Sequence, residues 1–316
     1  MSQKLLSVVI CTCGRSQLLR GAIESLVTQS FPTDEYEILI VDDHANDDTH
    51  EVVRQLSAKH SQVRYILNKG RGLLPARHTG QTEAIGRYIG YFDDDAKACG
   101  DWLERASGII RERAPICFGG PFFPFYISKK PKWYKDEYGS MTRGDTARIL
   151  DDDEVLCGGN VFFEGESLRN SGGFDPEFCK PGDRWTYGDE EIPQLRLRAS
   201  FPGREFYYDP KLYILHIVRP ERLNIVRAAR EAFAMGRAYV KVNPPNMSES
   251  RWFPFAWRLG YRYLKFAAGI LIAMVYRNRD QYPSISNYIY EEGFGDLRAA
   301  GVFYQNIHAV IRRERD

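Results

Sequence analysis

The first third of this chain alternates β-rich apolar runs with segments of helical periodicity, and every run ends on polar or acidic residues. Leu5, Leu6, Val8, Val9 and Ile10 form the first run, closed by Thr12-Cys13-Gly14-Arg15. Leu18, Leu19, Ala22, Ile23, Leu26 and Val27 then recur at helical spacing. Residues 37–41 form a second run ending in Asp42-Asp43, and the helix after it opens on capping residues at 46–49 and carries Val52, Val53 and Leu56. Residues 63–67 and 88–92 form the third and fourth runs, with a helix expected over 75–85 between them. This order predicts an α/β fold, a doubly wound and mostly parallel sheet with helices on both faces. Ligands in such sheets sit beyond the carboxyl ends of the strands, where Thr12, Asp43 and Asp95 fall.

The fourth run ends in Asp93-Asp94-Asp95. Three adjacent carboxylates at one strand tip repel one another unless positive charge sits among them. A hard divalent cation carrying a phosphorylated ligand answers that need; a solvated loop end is the plainer alternative. The turn after the first run has a single glycine, Gly14, and no Walker loop is present, so dinucleotide binders and P-loop NTPases fall behind.

Composition narrows the partners. Lys+Arg is 43 and Asp+Glu is 42, a formal net charge of +1, which gives no global electrostatic case for nucleic acid. The 316 residues are 43% hydrophobic and 13% aromatic, enough for one large domain with an appendage. The six cysteines form no CxxC pair, and Met1 leads into the first strand without a basic-then-apolar leader. Together these predict a cytoplasmic protein with reduced thiols, no structural zinc and no secretory signal.

Several segments carry a family resemblance when taken in order. They are Ser7-Val8-Val9-Ile10-Cys11-Thr12, Ile40-Val41-Asp42-Asp43, Gly72-Leu73-Leu74-Pro75-Ala76-Arg77-His78 and Tyr91-Phe92-Asp93-Asp94-Asp95. Gly158-Gly159-Asn160, Gly172-Gly173-Phe174-Asp175 and Gly188-Asp189-Glu190-Glu191 follow, with Arg196 beyond. The set, over residues 5–235, resembles family 2 glycosyltransferases of the GT-A fold. Two departures stand out: the usual Pro-Thr-Tyr-Asn reads Cys11-Thr12-Cys13-Gly14, and the usual Glu-Asp pair reads Asp189-Glu190.

The resemblance implies a role for each residue. Asp43 would accept an N–H of the nucleobase, or else cap the following helix, and Asp42 would be structural. Thr12 would support the base or ribose, and Asp94 would face the ribose or donor sugar. Asp95 would bind Mn²⁺ or Mg²⁺, with Asp93 reaching the ion directly or through water. His216, if not a core histidine, would complete the metal shell. Arg77 would contact phosphate or form a helix-surface salt bridge. Glu190 would be the general base of an inverting single displacement, with Asp189 and Glu191 as rivals. Asn160 and Trp185 would touch the acceptor or simply pack. A retaining enzyme on the same fold and a catalytically silent sugar-nucleotide-binding scaffold are the competing readings.

Three other segments complete the expectations. The acidic run 151–154 precedes an expected strand at 155–157 and so reads as a solvated turn at the wrong sheet edge. Residues 121–145, rich in aromatics and lysine, read as an irregular insertion over the acceptor side. Composition shifts near 243, which divides the chain into a catalytic domain at 1–242 and a helical region at 243–316, the former into a nucleotide half at 1–100 and an acceptor half at 101–242. In that tail the apolar run 266–276 falls short of the about 20 residues needed to span a bilayer. Arg251, Arg258, Arg262 and Lys265 lie upstream among Trp252, Phe253, Phe255, Trp257 and Tyr261. A basic amphipathic helix on the inner face of the cell membrane is expected, against packing or an oligomer contact. The expected partners are a nucleoside-diphosphate sugar, uridine diphosphate foremost, and a glycan or lipid-linked acceptor.

Overall fold

The computed structural model describes residues 3–43, 48–70, 72–174, 191–242 and 252–313. The strands are β1 (Leu6–Thr12), β2 (Tyr36–Asp42), β3 (Val63–Leu67), β4 (Tyr88–Phe92), β5 (Ala96–Ala98) and β6 (Cys117–Gly119). They continue with β7 (Phe122–Tyr126), β8 (Arg148–Ile149), β9 (Asn160–Glu164), β10 (Phe206–Tyr208) and β11 (Ile214–Val218). The helices are α1 (Ser16–Val27), α2 (Thr49–Ser57), α3 (Leu73–Glu83), α4 (Trp102–Arg113) and α5 (Gly165–Asn170). Beyond them come α6 (Glu191–Ser200), α7 (Ile225–Val242), α8 (Phe253–Tyr276), α9 (Ile285–Tyr288) and α10 (Phe294–Arg313).

An eight-stranded sheet runs β3-β2-β1-β4-β9-β6-β10-β8. β1 pairs parallel with both β2 and β4, and β2 with β3, so their carboxyl ends share one edge. β9 enters antiparallel between β4 and β6 and makes the sheet mixed beyond that point. Side chains alternate across β1. Val8 and Ile10 join Leu19, Ile23 and Leu26 of α1 on one face, while Val9 joins Leu74 and Ala76 of α3 on the other. Each such aliphatic chain contributes about 1.5–3 kcal/mol when fully buried, so both faces anchor the strand. Gly80 lets α3 lie against β1, because a Cβ there would stand 2.3 Å from Val9 Cγ1.

A second, three-stranded sheet runs β5-β11-β7. β5 begins one residue after the acidic triplet and pairs antiparallel with β11, placing His216 opposite Ala96. Sequence periodicity did not reveal it, since β5 has three residues. Two local expectations are corrected. Residues 155–157 are not a strand: the buried Gln194 amide takes the strand partner's role, accepting from Leu156 N at 2.8 Å and donating to Leu156 O at 3.0 Å. Residues 122–126 are not irregular, because they form β7. The run at 151–154 is the expected exposed turn, with Glu154 held by Arg148 at 2.6 Å and Asp152 by Arg198 at 3.3 Å.

By internal packing the chain forms two compact units, and residues 126–138 and 218–316 fall in the second. There α7 and α10 approach closely at glycines: a Cβ at Gly236 would stand 1.8 Å from Arg298 O, and one at Gly301 2.0 Å from Phe233 O. α7 thus groups with the C-terminal helices, and the compositional shift near 243 lies inside this unit. Segment 126–138 belongs with them, through Tyr138 stacked on Tyr290 at 3.9 Å and Lys135 paired to Glu291 at 2.6 Å.

Candidate active site

The carboxyl ends of β1, β2 and β4 gather Thr12, Asp43 and the acidic triplet, as the alternating pattern implied. Three separate clamps hold the acids.

The first clamp surrounds Asp94 and Asp95, which are buried. Thr12 Oγ1 donates to Asp94 Oδ2 at 2.7 Å, and Arg15 reaches Asp94 Oδ1 at 3.1 Å and Asp95 Oδ2 at 3.8 Å. Burial pushes the Asp94 carboxyl up to about 6, although Arg15 and the Thr12 hydroxyl oppose the shift. In the sequence Arg15 stands only in the turn after β1, 79 residues from Asp94, and the parallel pairing of β1 with β4 brings the two together.

The second clamp is the pairing of β5 with β11. Ile217 N donates to Asp95 O at 3.0 Å, and His216 Nε2 lies 3.1 Å from Asp95 Oδ1 and 3.4 Å from Asp93 Oδ2. Burial disfavours the imidazolium, but hydrogen bonds to Asp93 and Asp95 outweigh it and raise its pKa to about 10. One ligand atom each from Asp93, Asp95 and His216 lies within 4.8 Å of the others. Two carboxylates and an imidazole are a donor set suited to a divalent cation. Gly159 makes room for Asp93, since a Cβ there would stand 2.1 Å from Asp93 Oδ2.

The third clamp holds Asp43. Asn68 Nδ2 donates to Asp43 Oδ1 at 2.8 Å and Gly72 N to Oδ2 at 2.7 Å. Thr79 Oγ1 donates to Asn68 Oδ1 at 2.8 Å, which fixes the amide so that its nitrogen faces the carboxylate. Asn68 is another residue that sequence reading missed. Asp42 is buried and accepts from Tyr65 OH at 2.8 Å, a structural role as expected.

Arg77 is buried on α3 and not on the helix surface, with its guanidinium 5.7 Å from the Phe174 ring. Asn160 requires a correction. It is 0% exposed, its Oδ1 accepts from Trp102 Nε1 at 3.0 Å, and its Nδ2 donates to Pro121 O at 3.0 Å and Leu212 O at 2.7 Å. A fully engaged, buried amide cannot meet an acceptor; Asn160 clips three segments together. Asp189, Glu190 and Trp185 lie outside the described residues, and Glu191 opens α6.

A parallel α/β half whose fourth strand ends in a carboxylate cluster, continued by a mixed sheet, is the GT-A glycosyltransferase fold. The chain belongs to glycosyl transferase family 2, whose sequence model matches residues 7–171. It is 24% identical over 238 residues to glycosyltransferase AglE of Haloferax volcanii, covering 75% of this chain and 73% of that protein. It is 25% identical over 241 residues to a Campylobacter jejuni GalNAc(5)-diNAcBac-PP-undecaprenol beta-1,3-glucosyltransferase, covering 75% and 72%. Among solved structures it is similar to a mannosyltransferase of Pyrobaculum calidifontis in complex with GDP-Man and Mn²⁺. That likeness has a TM-score of 0.62 at 16% identity over 96% of this chain and 87% of the other. S. aureus TarS in complex with UDP-GlcNAc aligns with a TM-score of 0.54 at 12% identity, over 98% and 92%.

The Gly159 cradle yields a direct expectation. Gly159→Ala displaces the Asp93 carboxylate and weakens Mn²⁺ binding about tenfold or more, as loss of one ligand's orientation does at metal sites. Paramagnetic resonance titration of free Mn²⁺ measures it; unchanged affinity in a folded variant contradicts the role of Gly159.

Proposed function

We propose that this protein is a metal-dependent, inverting glycosyltransferase that moves a sugar from a nucleoside-diphosphate sugar to a hydroxyl of a glycan or lipid-linked acceptor. The gathering of Asp93, Asp95 and His216 beside Asp94 and Thr12 carries this reading. The family assignment fixes the reaction class, and the structural neighbours solved with GDP-Man and UDP-GlcNAc support a nucleotide-sugar donor. The name of the Campylobacter relative supports a lipid-linked acceptor.

Asp43, held as an acceptor by Asn68 and Gly72, takes an N–H of the base, with uridine diphosphate the proposed carrier. Thr12 and Asp94 meet the ribose or donor sugar, and Arg77 assists at the phosphates. Asp93, Asp95 and His216 would hold a divalent cation, which when bound neutralises charge on the departing diphosphate. The imidazole favours Mn²⁺ over Mg²⁺, which prefers an all-oxygen shell. Glu190 takes the proton of the acceptor hydroxyl as its oxygen attacks the anomeric carbon from the face opposite the diphosphate. A carbon–oxygen bond to the acceptor forms as the one to diphosphate breaks, inverting the configuration. Asp189 adjusts the charge beside this base, and Trp185 offers a stacking face to the acceptor sugar.

Membrane residence is part of the proposal, with a revised basis. α8 is one helix of 24 residues, long and apolar enough to cross a membrane by length and composition, so the limit drawn from 266–276 alone was too short. Its basic residues are not a free face: Arg262 and Lys265 lie 2.7 and 3.4 Å from Asp296 Oδ1 of α10. α8 nevertheless exposes a long apolar stripe, with Trp257, Leu264, Leu271 and Val275 each more than half exposed, beside the exposed Arg258 and Lys265. We read this stripe as seated in a lipid surface, where its aromatic amino-terminal end meets the headgroups.

Two measurements test these readings. Glu190→Gln leaves nucleotide affinity near normal and lowers turnover roughly 10²-fold or more, whereas a product of retained configuration, or full activity, contradicts the mechanism. Wild type sediments with neutral as well as anionic liposomes and resists moderate salt, while Leu264→Asp with Leu271→Asp releases it. Equal partitioning of both proteins, or a wild-type dimer lost on the same change, contradicts membrane seating.

A further inference from the structure

The second compact unit holds a cavity of about 140 Å³ that the transferase chemistry does not use. Its walls are Tyr134, Tyr138 and Tyr290, and its polar groups are Arg222, Glu231 and Arg298. The aromatic wall is rigid: Tyr138 and Tyr290 stack at 3.9 Å, Tyr134 meets Tyr138 edge-on at 5.6 Å, and Tyr290 OH donates to Tyr138 O at 3.1 Å.

We propose that this cavity is a non-catalytic carbohydrate site that binds one pyranose unit of the glycan substrate or product, an inference that rests on the transferase reading above. Three observations carry it. The cavity is the size of one that accepts benzene and is open to solvent, so a pyranose can seat part of its ring there with its remaining hydroxyls outside. The aromatic faces offer a platform for the C–H face of a sugar. Tyr134 is 5% exposed, yet its hydroxyl has no hydrogen-bond partner among the described residues and lines the cavity. A buried ring with an unpaired hydroxyl at a cavity wall lacks only a polar ligand.

The charges define the class further. Arg222 Nε lies 3.6 Å from Glu231 Oε2, too far for a strong bond, and its side chain is half exposed. Arg298 is exposed at the rim. Two guanidinium groups and one carboxylate supply both donors and acceptors around an apolar floor, which fits the hydroxyls of a sugar. A cation would meet net positive charge, and a purely apolar ligand would desolvate Arg222 and Glu231 without adding a hydrogen bond to either. A single ring in so small a site binds weakly, on the order of millimolar.

Saturation-transfer NMR on the full chain in EDTA tests the site. The probes are the methyl glycosides of glucose, galactose, mannose, N-acetylglucosamine, N-acetylgalactosamine and glucuronic acid. The expected result is a signal from at least one sugar with wild type and with Asp95→Asn, weakened several-fold in Tyr134→Phe and in Arg298→Gln. Arg298 is exposed, so its variant keeps the test decisive if Tyr134→Phe fails to fold. No signal from any sugar overturns the proposal, and so does a signal indifferent to both substitutions. Uridine diphosphate binding with Mn²⁺, measured on the same wild-type sample, reports separately on the transferase reading.

Discussion

Everything at the candidate active site depends on how the chain tolerates three consecutive carboxylates at the tip of β4. Left unpaired, the buried Asp94 and Asp95 and the partly exposed Asp93 would repel strongly in a region of low dielectric. The fold answers with charge brought from two directions. Arg15, one residue before α1, neutralises Asp94 and Asp95 from the β1 side. His216 arrives from far along the chain because β11 pairs with β5, whose first residue follows Asp95. The same pairing ties Asp95 O to Ile217 N, so backbone and side chain are fixed by one ladder. Sheet register, more than any single contact, therefore makes the acids a site.

That arrangement holds the acids against their own preference. Burial raises the Asp94 carboxyl to about 6, and the imidazole of His216 is raised to about 10 between its two acidic neighbours. With no ion bound, protonated His216 stabilises the fold most fully below its unfolded value near 6.5, and the contribution fades as pH rises toward 10. A divalent cation bound at the same oxygens would take over that neutralising role.

The doubly wound half was legible in the sequence because β1, β2 and β4 are buried on both faces and α1 and α2 each carry an apolar stripe. The triplet, Asp43 and Thr12 were legible for the same reason, since strand ends position them. Arg15, Asn68 and Gly159 were hidden, because each acts on another side chain and not through periodicity. Asn160 misled: beside Gly159 it looks like a site residue, yet its amide is consumed by Trp102, Pro121 and Leu212. The tail misled differently. The spacing of Arg262 and Lys265 marks one helix face correctly, but only tertiary packing reveals that Asp296 occupies it.

The central claim, that β5–β11 pairing turns an acidic strand tip into a cation site for a nucleotide sugar, has one direct test. Mn²⁺ binding, followed by calorimetry with and without uridine diphosphate, is compared for wild type, Asp95→Asn and His216→Ala. The account predicts that wild type binds the ion more tightly when the nucleotide is present. It predicts that Asp95→Asn loses both the ion and the nucleotide's enhancement, and that His216→Ala weakens them, with circular dichroism unchanged throughout. Identical Mn²⁺ and nucleotide binding in all three proteins would contradict it.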